Sequence, residues 1–505
     1  MKQRLLSVVT VVAAATFTFL SLWTWGHGSP VGSSPDEGFH LVSMWCGPDE
    51  LVVDCKEDPN NPSNFLVPGL MAEPWLCFYG RSEQSAGCQA ADIAGRRLST
   101  NGYNTSEYPP YYYDVARNYV SENIESSVLG IRTGNALLGV LILASSLLLH
   151  GRRGWILATL MLSLSVPLAT FFIPSVNPTG LAITGVAAFA LSTSALMRRP
   201  QEFRALILPS IVFVVAAVAS YVSRRDAVVY SALIGFTALG IDAVSRRGHH
   251  ATIRRAVIDF FRRPSTLLVG AVSIVLGVAF LASGFGAKIT TGLDGNIEAR
   301  DSLTVLLSNV FDLPTFLGGF FSGPGWGLGW LDTPMPLITP LGASLAALLI
   351  FGSLVKSSTF AEKVAFWALL AVIVALVLTT LQADLRYVGE TVQPRYLYPL
   401  FVSAVLLVAS RSDARPRTTM LASTGILLAI AHAVALRTNI RRYTTGLDVR
   451  SWRLDEPREW WWSTGPSPST TWLIGSLSFA LAVALCVIGS CLFDPVAKPV
   501  SDRVA

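Results

Sequence analysis

The sequence contains few charged residues. Asp, Glu, Lys and Arg make up only 14% of its 505 residues, whereas 51% are hydrophobic and the mean hydropathy is +0.50. Soluble domains carry roughly 25% charged residues, so this composition excludes an ordinary soluble globular protein. Apolar runs of about 20 residues recur along the chain, and each can cross a ~30 Å hydrocarbon core as a helix. The sequence therefore predicts an all-α polytopic membrane protein.

Nucleotide-binding and zinc-binding motifs are also missing. The chain has no Walker A pattern, no G-x-G-x-x-G opening a βαβ unit, and no Cys-x-x-Cys or Cys/His spacing typical of zinc. The formal net charge of +5 does not indicate a nucleic-acid partner, because the arginines lie largely in short connections between apolar segments. These absences argue against nucleic-acid binding and against a donor activated by a cytosolic nucleotide.

Twelve apolar segments are predicted to span the membrane. Arg and Lys concentrate in alternate connections, such as HGRRG and MRRPQEFR, and the positive-inside rule then places both termini in the cytoplasm. We therefore expect a multi-pass protein of the cell membrane. One alternative stays open: the 204–244 region carries Arg224 and Arg225 in its outer turn and could form a shallow hairpin. The predicted spans are 4–23, 128–149, 154–173, 178–197, 204–222, 226–244, 265–284, 337–355, 363–381, 396–410, 417–436 and 470–492.

The outer side carries connections that are too long and too polar to be simple turns, and connections of this kind often carry function. They divide the chain into a first span, a large outer loop, a block of spans, a second outer loop, a second block of spans with one short outer loop, a third outer loop, and a last span with a cytoplasmic tail. In residue numbers these are 1–23, 24–127, 128–285, 286–336, 337–436 with the short loop 382–395, 437–469, and 470–505.

Cysteine is scarce, but its placement is informative. Four of the six cysteines lie in the first outer loop, where an oxidising environment permits disulfides. Four cysteines allow three pairings, and we favour the pairing of sequence neighbours, Cys46–Cys55 and Cys77–Cys88. The other two, Cys486 and Cys491, lie inside the last span, where we expect them to pack.

An acid pair directly follows the first span, in the stretch SPDEGFH. Asp36 could act as a general base toward an acceptor hydroxyl, because a carboxylate at a membrane face can have its pKa raised toward the working pH by burial. The simpler interpretation, that Asp36 and Glu37 are merely solvated, stays open. His40 would lie beside Glu37 on a helix and could contact the acceptor or a metal, although a lone histidine is more often structural.

Three arginines on the outer side are candidates for binding a phosphate. Arg395 begins a predicted span in QPRYLYPL and follows Arg386, while Arg132 lies within the outer end of the second span. A guanidinium at this depth can bind a phosphate through two hydrogen bonds, or it can simply anchor the helix at the lipid headgroups. An ionisable group inside a span is costly, so we expect Arg132 to face a cavity or to pair with an acid.

The glycine- and tryptophan-rich stretch GWGLGWLDT is a candidate for sugar binding. Trp326 and Trp330 offer flat apolar faces, Asp332 could bind hydroxyl groups, and Tyr396 beside Arg395 could contribute a further contact. A re-entrant loop with aromatic anchors at the interface explains the same residues equally well.

Several of these features together resemble the GT-C superfamily of membrane glycosyltransferases, in which an acid pair follows the first span. More closely, the chain resembles a large uncharacterised family of actinobacterial membrane proteins placed in that superfamily. Gly38 and Phe39 stand where that family usually has an alanine or proline, and Pro394 stands where a glycine is common. The matching stretches cover most of the chain and are SPDEGFH, YPPYYY, GIRTGNALLG, FFIPSVNPTGLAITGVAAFAL, GWGLGWLDT and QPRYLYPL.

The resemblance implies inverting transfer of a sugar from a polyprenyl-phosphate donor to a glycan or glycoconjugate acceptor of the cell envelope, outside the cytoplasm. Asp36 would be the base and Glu37 would orient the acceptor or a metal, while Arg395, Arg132 and Arg386 would bind the lipid phosphate. A phosphate leaving group is already a stable anion, so cationic stabilisation suffices without a general acid. The resemblance leaves open a divalent cation (Mg²⁺, Mn²⁺ or Ca²⁺, or none) and the sugar, for which arabinose or mannose on decaprenyl phosphate suits the setting.

Two other functions remain as alternatives. A transporter or flippase of lipid-linked sugars could use the same arginines to select phosphate, although the sequence lacks paired broken helices in two corresponding halves. A non-catalytic scaffold for envelope assembly could bind glycans or other partners through the first outer loop.

Overall fold

The structure is a computed structural model of the whole chain. It describes residues 2–46, 55–72, 76–89, 97–100, 102–104, 107–198, 201–247, 252–283 and 300–492. The predicted cytoplasmic tail beyond residue 492 and the first part of the predicted loop 286–336 lie outside the described residues.

Helices dominate the described residues, and they form one all-α polytopic bundle. In chain order they are α1 Lys2–His27, α2 Glu37–Trp45, α3 Tyr111–Ala116, α4 Ile124–Leu148, α5 Arg153–Ser165, α6 Leu168–Phe172, α7 Pro178–Arg198, α8 Phe203–Ser223, α9 Arg225–Arg247, α10 Ile253–Arg262, α11 Pro264–Ala282, α12 Ser302–Gly318, α13 Ile338–Val355, α14 Phe360–Ala383, α15 Pro394–Arg411, α16 Thr418–Thr444 and α17 Pro468–Leu492. Short 3₁₀ turns cover Gly69–Met71, Arg117–Tyr119 and Gly319–Phe321.

Among the described residues, 11 helices are long and apolar enough to cross a membrane. Ten of them coincide with predicted spans. The predicted spans 154–173 and 396–410 are not among the 11, for different reasons. The first is divided at Pro167 into α5 and α6, so neither piece is long enough alone. The second is α15, whose first turn carries Arg395 and whose residues are mostly buried inside the bundle.

The eleventh apolar helix, α12, lies inside the predicted outer loop 286–336 and was not expected as a helix. Asn309, Asp312 and Pro314 interrupt its apolar run and make it the least apolar of the 11 helices, although it is still apolar enough to span a membrane. The Gln382 side chain at the end of α14 donates to Ser302 at the start of α12, and Gly319 directly after α12 packs against Pro394. Both ends of α12 therefore lie beside the same 382–395 connection. A helix within a loop would have this arrangement, whereas a helix that crosses the membrane would have its ends on opposite sides.

The first outer loop is tied together by covalent and sheet contacts. Strands β1 Lys56–Asp58, β2 Asn61–Pro68 and β3 Arg97–Ser99 form an antiparallel sheet in the order β1-β2-β3. Both predicted disulfides are confirmed: Cys46–Cys55 joins the end of α2 to the start of β1, and Cys77–Cys88 closes a short loop. Outside these two bridges, Cys486 is buried and Cys491 is exposed.

Helices α7, α8 and α9 position the candidate site. α7 is almost entirely buried and packs against α4, α8, α9 and α15. α8 and α9 are both full-length helices that are long and apolar enough to span the membrane, which favours two crossings over the shallow alternative for 204–244. Small residues along α7, in the stretch GVAAFALSTSA, allow its neighbours to approach closely, as small residues do in membrane bundles.

Candidate functional site

Asp36 and Arg395 meet although they are 359 residues apart in the chain. An Arg395 Nη2–H donates to Asp36 Oδ2 over 3.1 Å, and the two side chains are 7% and 40% exposed respectively. Arg395 lies in the first turn of α15, directly after Pro394, a residue type that favours the start of a helix. Helix packing therefore brings together the acid and the arginine that the sequence analysis predicted.

The backbone at Asp36 presents its carboxylate to Arg395. Asp36 precedes α2 with φ 63° and ψ 10°, a left-handed conformation that non-glycine residues rarely adopt. Its side chain makes no capping bond to α2, and the preceding turn is held by an Asn177 side chain that donates to the Pro35 carbonyl over 2.8 Å. A strained residue of this kind persists only where its surroundings over-determine it, and such residues cluster at functional sites.

Glu37 and Arg132 form a buried ion pair beneath Asp36. Arg132 Nη2 lies 2.9 and 3.0 Å from the two Glu37 carboxylate oxygens, with side chains 0% and 3% exposed for Glu37 and Arg132. The same guanidinium donates to the carbonyls of Gly26, Ser29 and Pro30. Both terminal nitrogens of Arg132 are therefore engaged, and this pair holds the turn between α1 and α2 rather than facing a cleft.

Arg395 keeps hydrogen-bonding capacity that the described protein groups do not use. Its Nη2 donates to Asp36 and to the Tyr396 hydroxyl over 3.2 Å, whereas its Nε and Nη1 are buried without a hydrogen-bond partner among the described residues. Buried guanidinium donors without acceptors are costly, so this geometry favours an anion as the missing partner. A phosphate accepts such donors in pairs.

Arg224 belongs to the site, although the sequence analysis mentioned it only because an arginine in an outer turn conflicts with the predicted topology. Its guanidinium lies 5.4 Å from the Tyr396 ring centre and 5.8 Å from that of Tyr108. It is paired with Asp226 over 2.8 Å and donates to Thr179 Oγ1 over 3.0 Å, with only 12% of the side chain exposed. The sequence feature that could have identified Arg224 as a site residue was the pair of arginines in a short outer turn, where the positive-inside rule disfavours them.

His40 packs inside the site without facing solvent. Its Nδ1 lies 2.9 Å from the Tyr113 hydroxyl, and its ring contacts the Tyr108 ring edge to face with centres 5.0 Å apart. Burial lowers the pKa of His40 to about 3, an effect that Asp36 opposes and that the Arg224 and Arg395 charges reinforce. A neutral imidazole at physiological pH is a hydrogen-bonding group here, and it is a far weaker base than an ordinary histidine.

Tyr108 is, besides Tyr396, a second phenol close to these charges. Burial raises the pKa of Tyr108 to about 12, and Arg224 partly offsets that effect. The hydroxyl therefore stays protonated, so it can donate a hydrogen bond at any physiological pH.

A narrow cleft of about 20 Å³, room for about one water molecule, adjoins Arg395. Phe172 of α6 lies under the Arg395 guanidinium at 5.7 Å, and Trp326 from the predicted sugar-binding stretch closes the other side. Trp326 is 4% exposed and its indole N–H donates to the Thr315 carbonyl, so it is fixed in place. The cleft therefore combines one charged residue with apolar and aromatic walls.

Trp330 and Asp332 lie on the far side of the same stretch. The Trp330 indole donates to the Gly32 carbonyl over 2.9 Å and its ring lies 4.6 Å from that of Tyr79. Asp332 forms a buried ion pair with Arg442 over 2.8 Å and also accepts from the Gly80 amide and the Thr333 hydroxyl. Both Asp332 oxygens are thus engaged in joining this stretch to α16 and to the first outer loop.

Arg386 is not brought to Asp36 or Arg395 by any hydrogen bond or ion pair among the described residues. Its backbone carbonyl accepts from Asn309 of α12, and its charge acts on Glu390, which pairs with Arg300 over 2.7 Å. Among the described residues, Arg132 and Arg386 each have a buried Nε without a hydrogen-bond partner, whereas Arg395 has two such nitrogens, Nε and Nη1, and is the one of the three that is hydrogen-bonded to Asp36. In the part of the chain that the structure describes, no group of three or more His, Cys, Asp or Glu is arranged to hold a metal ion.

Comparison with known proteins adds a family but no characterised relative. A family model described as a predicted membrane protein (DUF2142) matches residues 19–404, a range that contains both Asp36 and Arg395. No curated protein and no solved structure matches the chain. The chain therefore belongs to the DUF2142 family of predicted membrane proteins.

Proposed function

We propose that the protein is a GT-C-type membrane glycosyltransferase that transfers a sugar, with inversion, from a polyprenyl-phosphate donor to a cell-envelope glycan or glycoconjugate. The observation that carries the proposal is the pairing of Asp36 with an arginine whose remaining donors are buried and unpartnered. One carboxylate hydrogen-bonded to one guanidinium that has further donors available is the minimum that this chemistry requires.

The reaction balances with these groups alone. The acceptor oxygen attacks the anomeric carbon as its proton passes to Asp36, and the bond from the anomeric carbon to the phosphate oxygen breaks. The electron pair leaves with the polyprenyl phosphate, whose charge Arg395 stabilises through its unused Nε–H and Nη1–H. Arg224, held by Asp226 beside Tyr396, contributes a second positive charge at the site.

Two predicted roles change in this proposal. Arg132 and Glu37 satisfy each other, so they position Asp36 and do not bind the donor phosphate or the acceptor. Arg386 is assigned to the outer connection around Glu390 and not to the donor. Trp326 remains a wall of the cleft, while His40 and Tyr108 are the polar groups nearest to an acceptor at Asp36.

The proposal places the site outside the cytoplasm. Loop 24–127, with its two disulfides, and the 382–395 connection both contribute to the site, whereas the cationic connections after α4, α7, α13 and α15 gather elsewhere. Disulfides persist in oxidising compartments, and arginine-rich short connections stay in the cytoplasm. The two signals support the same orientation.

An Asp36→Asn variant tests the proposal. We expect transfer from a panel of polyprenyl-phosphate sugars to fall about 10²–10⁴-fold, because the base is lost while the side-chain volume is kept. Asp114→Asn, an exposed acid of the same loop whose side chain is 55% exposed, is the matched control and should retain full activity. Binding of the donor to the Asp36→Asn protein should persist.

Two results would contradict the assignment. Unchanged transfer by Asp36→Asn would exclude Asp36 as the base. Translocation of lipid-linked sugars by reconstituted wild-type protein, without any transfer and abolished by Asp36→Asn, would favour the transporter alternative.

A further inference from the structure

A second charged cluster lies at the other end of the bundle, formed by the connections that the sequence analysis places in the cytoplasm. Asp413 is held between Arg153 of α5 and Arg198 of α7, the latter over 2.8 Å. Arg411 pairs with Glu362 over 3.1 Å, and Arg415 lies close enough to lower the pKa of Arg153, which burial also lowers. We call this set, Arg153, Arg198, Glu362, Arg411, Asp413 and Arg415, the arginine cluster.

The arginine cluster contains more positive than negative charge. Even without Arg415, three arginines (Arg153, Arg198 and Arg411) face two carboxylates (Glu362 and Asp413), so these five residues have a formal charge of +1. Asp413 is shared by two arginines, and it cannot neutralise both. Because like charges at this spacing repel, an additional anion would stabilise the cluster.

Arg411 shows where that anion would be bound. Its side chain is 8% exposed, and its Nε donates to one Glu362 oxygen. The other Glu362 oxygen accepts from the Thr359 amide at the start of α14, and the Arg411 Nη1 is buried without a partner among the described residues. A buried guanidinium nitrogen next to excess positive charge is a site built for an acceptor oxygen such as that of a phosphate.

An apolar groove begins beside the same cluster. It has a volume of about 500 Å³, runs between α1, α4, α5 and α17, and ends at Gly151 and Arg152, next to Arg153. On α1 it extends from Ser7 to Leu22, which is about 22 Å along a helix and exceeds the ~15 Å of one hydrocarbon leaflet. Its walls between these ends are mainly small and aliphatic side chains.

We propose that the arginine cluster and this groove together bind one anionic phospholipid of the cytoplasmic leaflet, with its phosphate on the arginines and an acyl chain in the groove. The charge excess selects an anionic headgroup, and the adjoining groove distinguishes a lipid from a soluble phosphate. The site is separate from Asp36 and Arg395, so it does not depend on the glycosyltransferase proposal.

Native mass spectrometry of the purified full-length protein tests this proposal. Phosphatidylglycerol should bind at least about tenfold more tightly than phosphatidylcholine with identical acyl chains, as expected for one additional charge-assisted contact. The variant R153Q/R415Q removes two positive charges from the cluster and should remove most of that preference. R254Q/R255Q, which removes two exposed arginines of α10 on the same side, is the matched control and should bind as the wild type does.

Two further variants separate the parts of the site. R411Q/E362Q removes the buried donor together with its counter-ion, so no unpaired charge is left buried, and it should also lose the preference. Ala158→Trp fills the groove and should weaken binding of the long-chain lipid more than binding of a short-chain analogue.

Several outcomes would overturn the proposal. These are equal binding of the two lipids, an unchanged preference in R153Q/R415Q, or full competition by the deacylated headgroup glycerophosphoglycerol, which would indicate a soluble-phosphate site. A dimer that Ala158→Trp disrupts without any loss of lipid would assign the groove to a second copy of the chain.

Discussion

At the scale of single residues, Arg395 differs from the other predicted phosphate ligands in one respect. Two of its three guanidinium nitrogens have no partner among the described residues, whereas both terminal nitrogens of Arg132 are saturated by Glu37 and backbone carbonyls. Sequence position does not distinguish these arginines, because each lies at or near the outer end of an apolar segment. Only the surroundings of each guanidinium do so.

Arg395→Gln should therefore impair transfer far more than a comparable change at Arg386. We expect a loss of about 10²–10³-fold in kcat, the effect of removing one donor that stabilises developing charge in a transition state. Steady-state kinetics with a polyprenyl-phosphate sugar would measure it, and Arg386→Gln is the control that should stay near wild-type activity. Equal losses of kcat in the two variants would indicate that Arg386 also binds the donor phosphate.

His40 predicts a pH dependence of stability. The pKa of His40 is about 3 in the fold and about 6.5 in an unfolded chain, so between these values the unfolded state binds a proton that the folded state does not. Stability should fall as the pH is lowered from about 6.5 toward 3, and His40→Gln should make that decline shallower. Thermal unfolding in detergent at pH 7 and pH 5 would measure the difference, and equal slopes for both proteins would contradict it.

At the scale of elements, the turn between α1 and α2 depends on one buried ion pair. Arg132 of α4 reaches the carbonyls that end α1 and the carboxylate of the first residue of α2, so a single side chain joins three helices. Asp36 lies within this turn, and its left-handed backbone is held by these contacts together with Asn177 of α7. The position of the proposed base is therefore a property of several packed elements.

Breaking the Arg132–Glu37 pair should destabilise the protein more than removing it entirely. Arg132→Met leaves a buried carboxylate unpaired and should cost about 3–5 kcal/mol, whereas Arg132→Met/Glu37→Met should recover much of that loss. Denaturant or thermal unfolding in detergent would measure both.

The same pair of variants also distinguishes a positioning role from donor binding. The double variant should keep its KM for the donor near the wild-type value while kcat falls, because only the placement of Asp36 changes. A large rise in KM would instead indicate that Arg132 contacts the donor phosphate.

At the scale of the whole molecule, the two ends of the bundle differ in chemistry. One end carries the disulfide-linked loop, the acid–arginine pair and the tryptophan-rich stretch, and the other carries the arginine cluster. Helix α12 does not add a membrane crossing that would exchange the two sides, because both its ends contact the 382–395 connection. The two ends should therefore face different compartments.

Cysteine labelling in intact cells would test that orientation. In a Cys491→Ser background, Tyr111→Cys should react with a membrane-impermeant maleimide, because Tyr111 is 51% exposed on the first outer loop. Arg254→Cys on α10 should react only after the cells are permeabilised. Labelling of both positions in intact cells would contradict the two-sided arrangement.

Hydropathy, cysteine spacing and short motifs along the chain were sufficient for the membrane class, ten of the spans, both disulfides and the candidacy of Asp36 and Arg395. Each of these depends on local composition or on neighbours within about a dozen residues, which a linear reading captures. Packing alone assigned Arg132 to Glu37, removed Arg386 from the acid, brought Arg224 beside Tyr396, and placed α12 along the 382–395 connection. The reason is that a guanidinium takes the nearest available acceptors in space, and spatial proximity between residues hundreds of positions apart is set by how the helices pack.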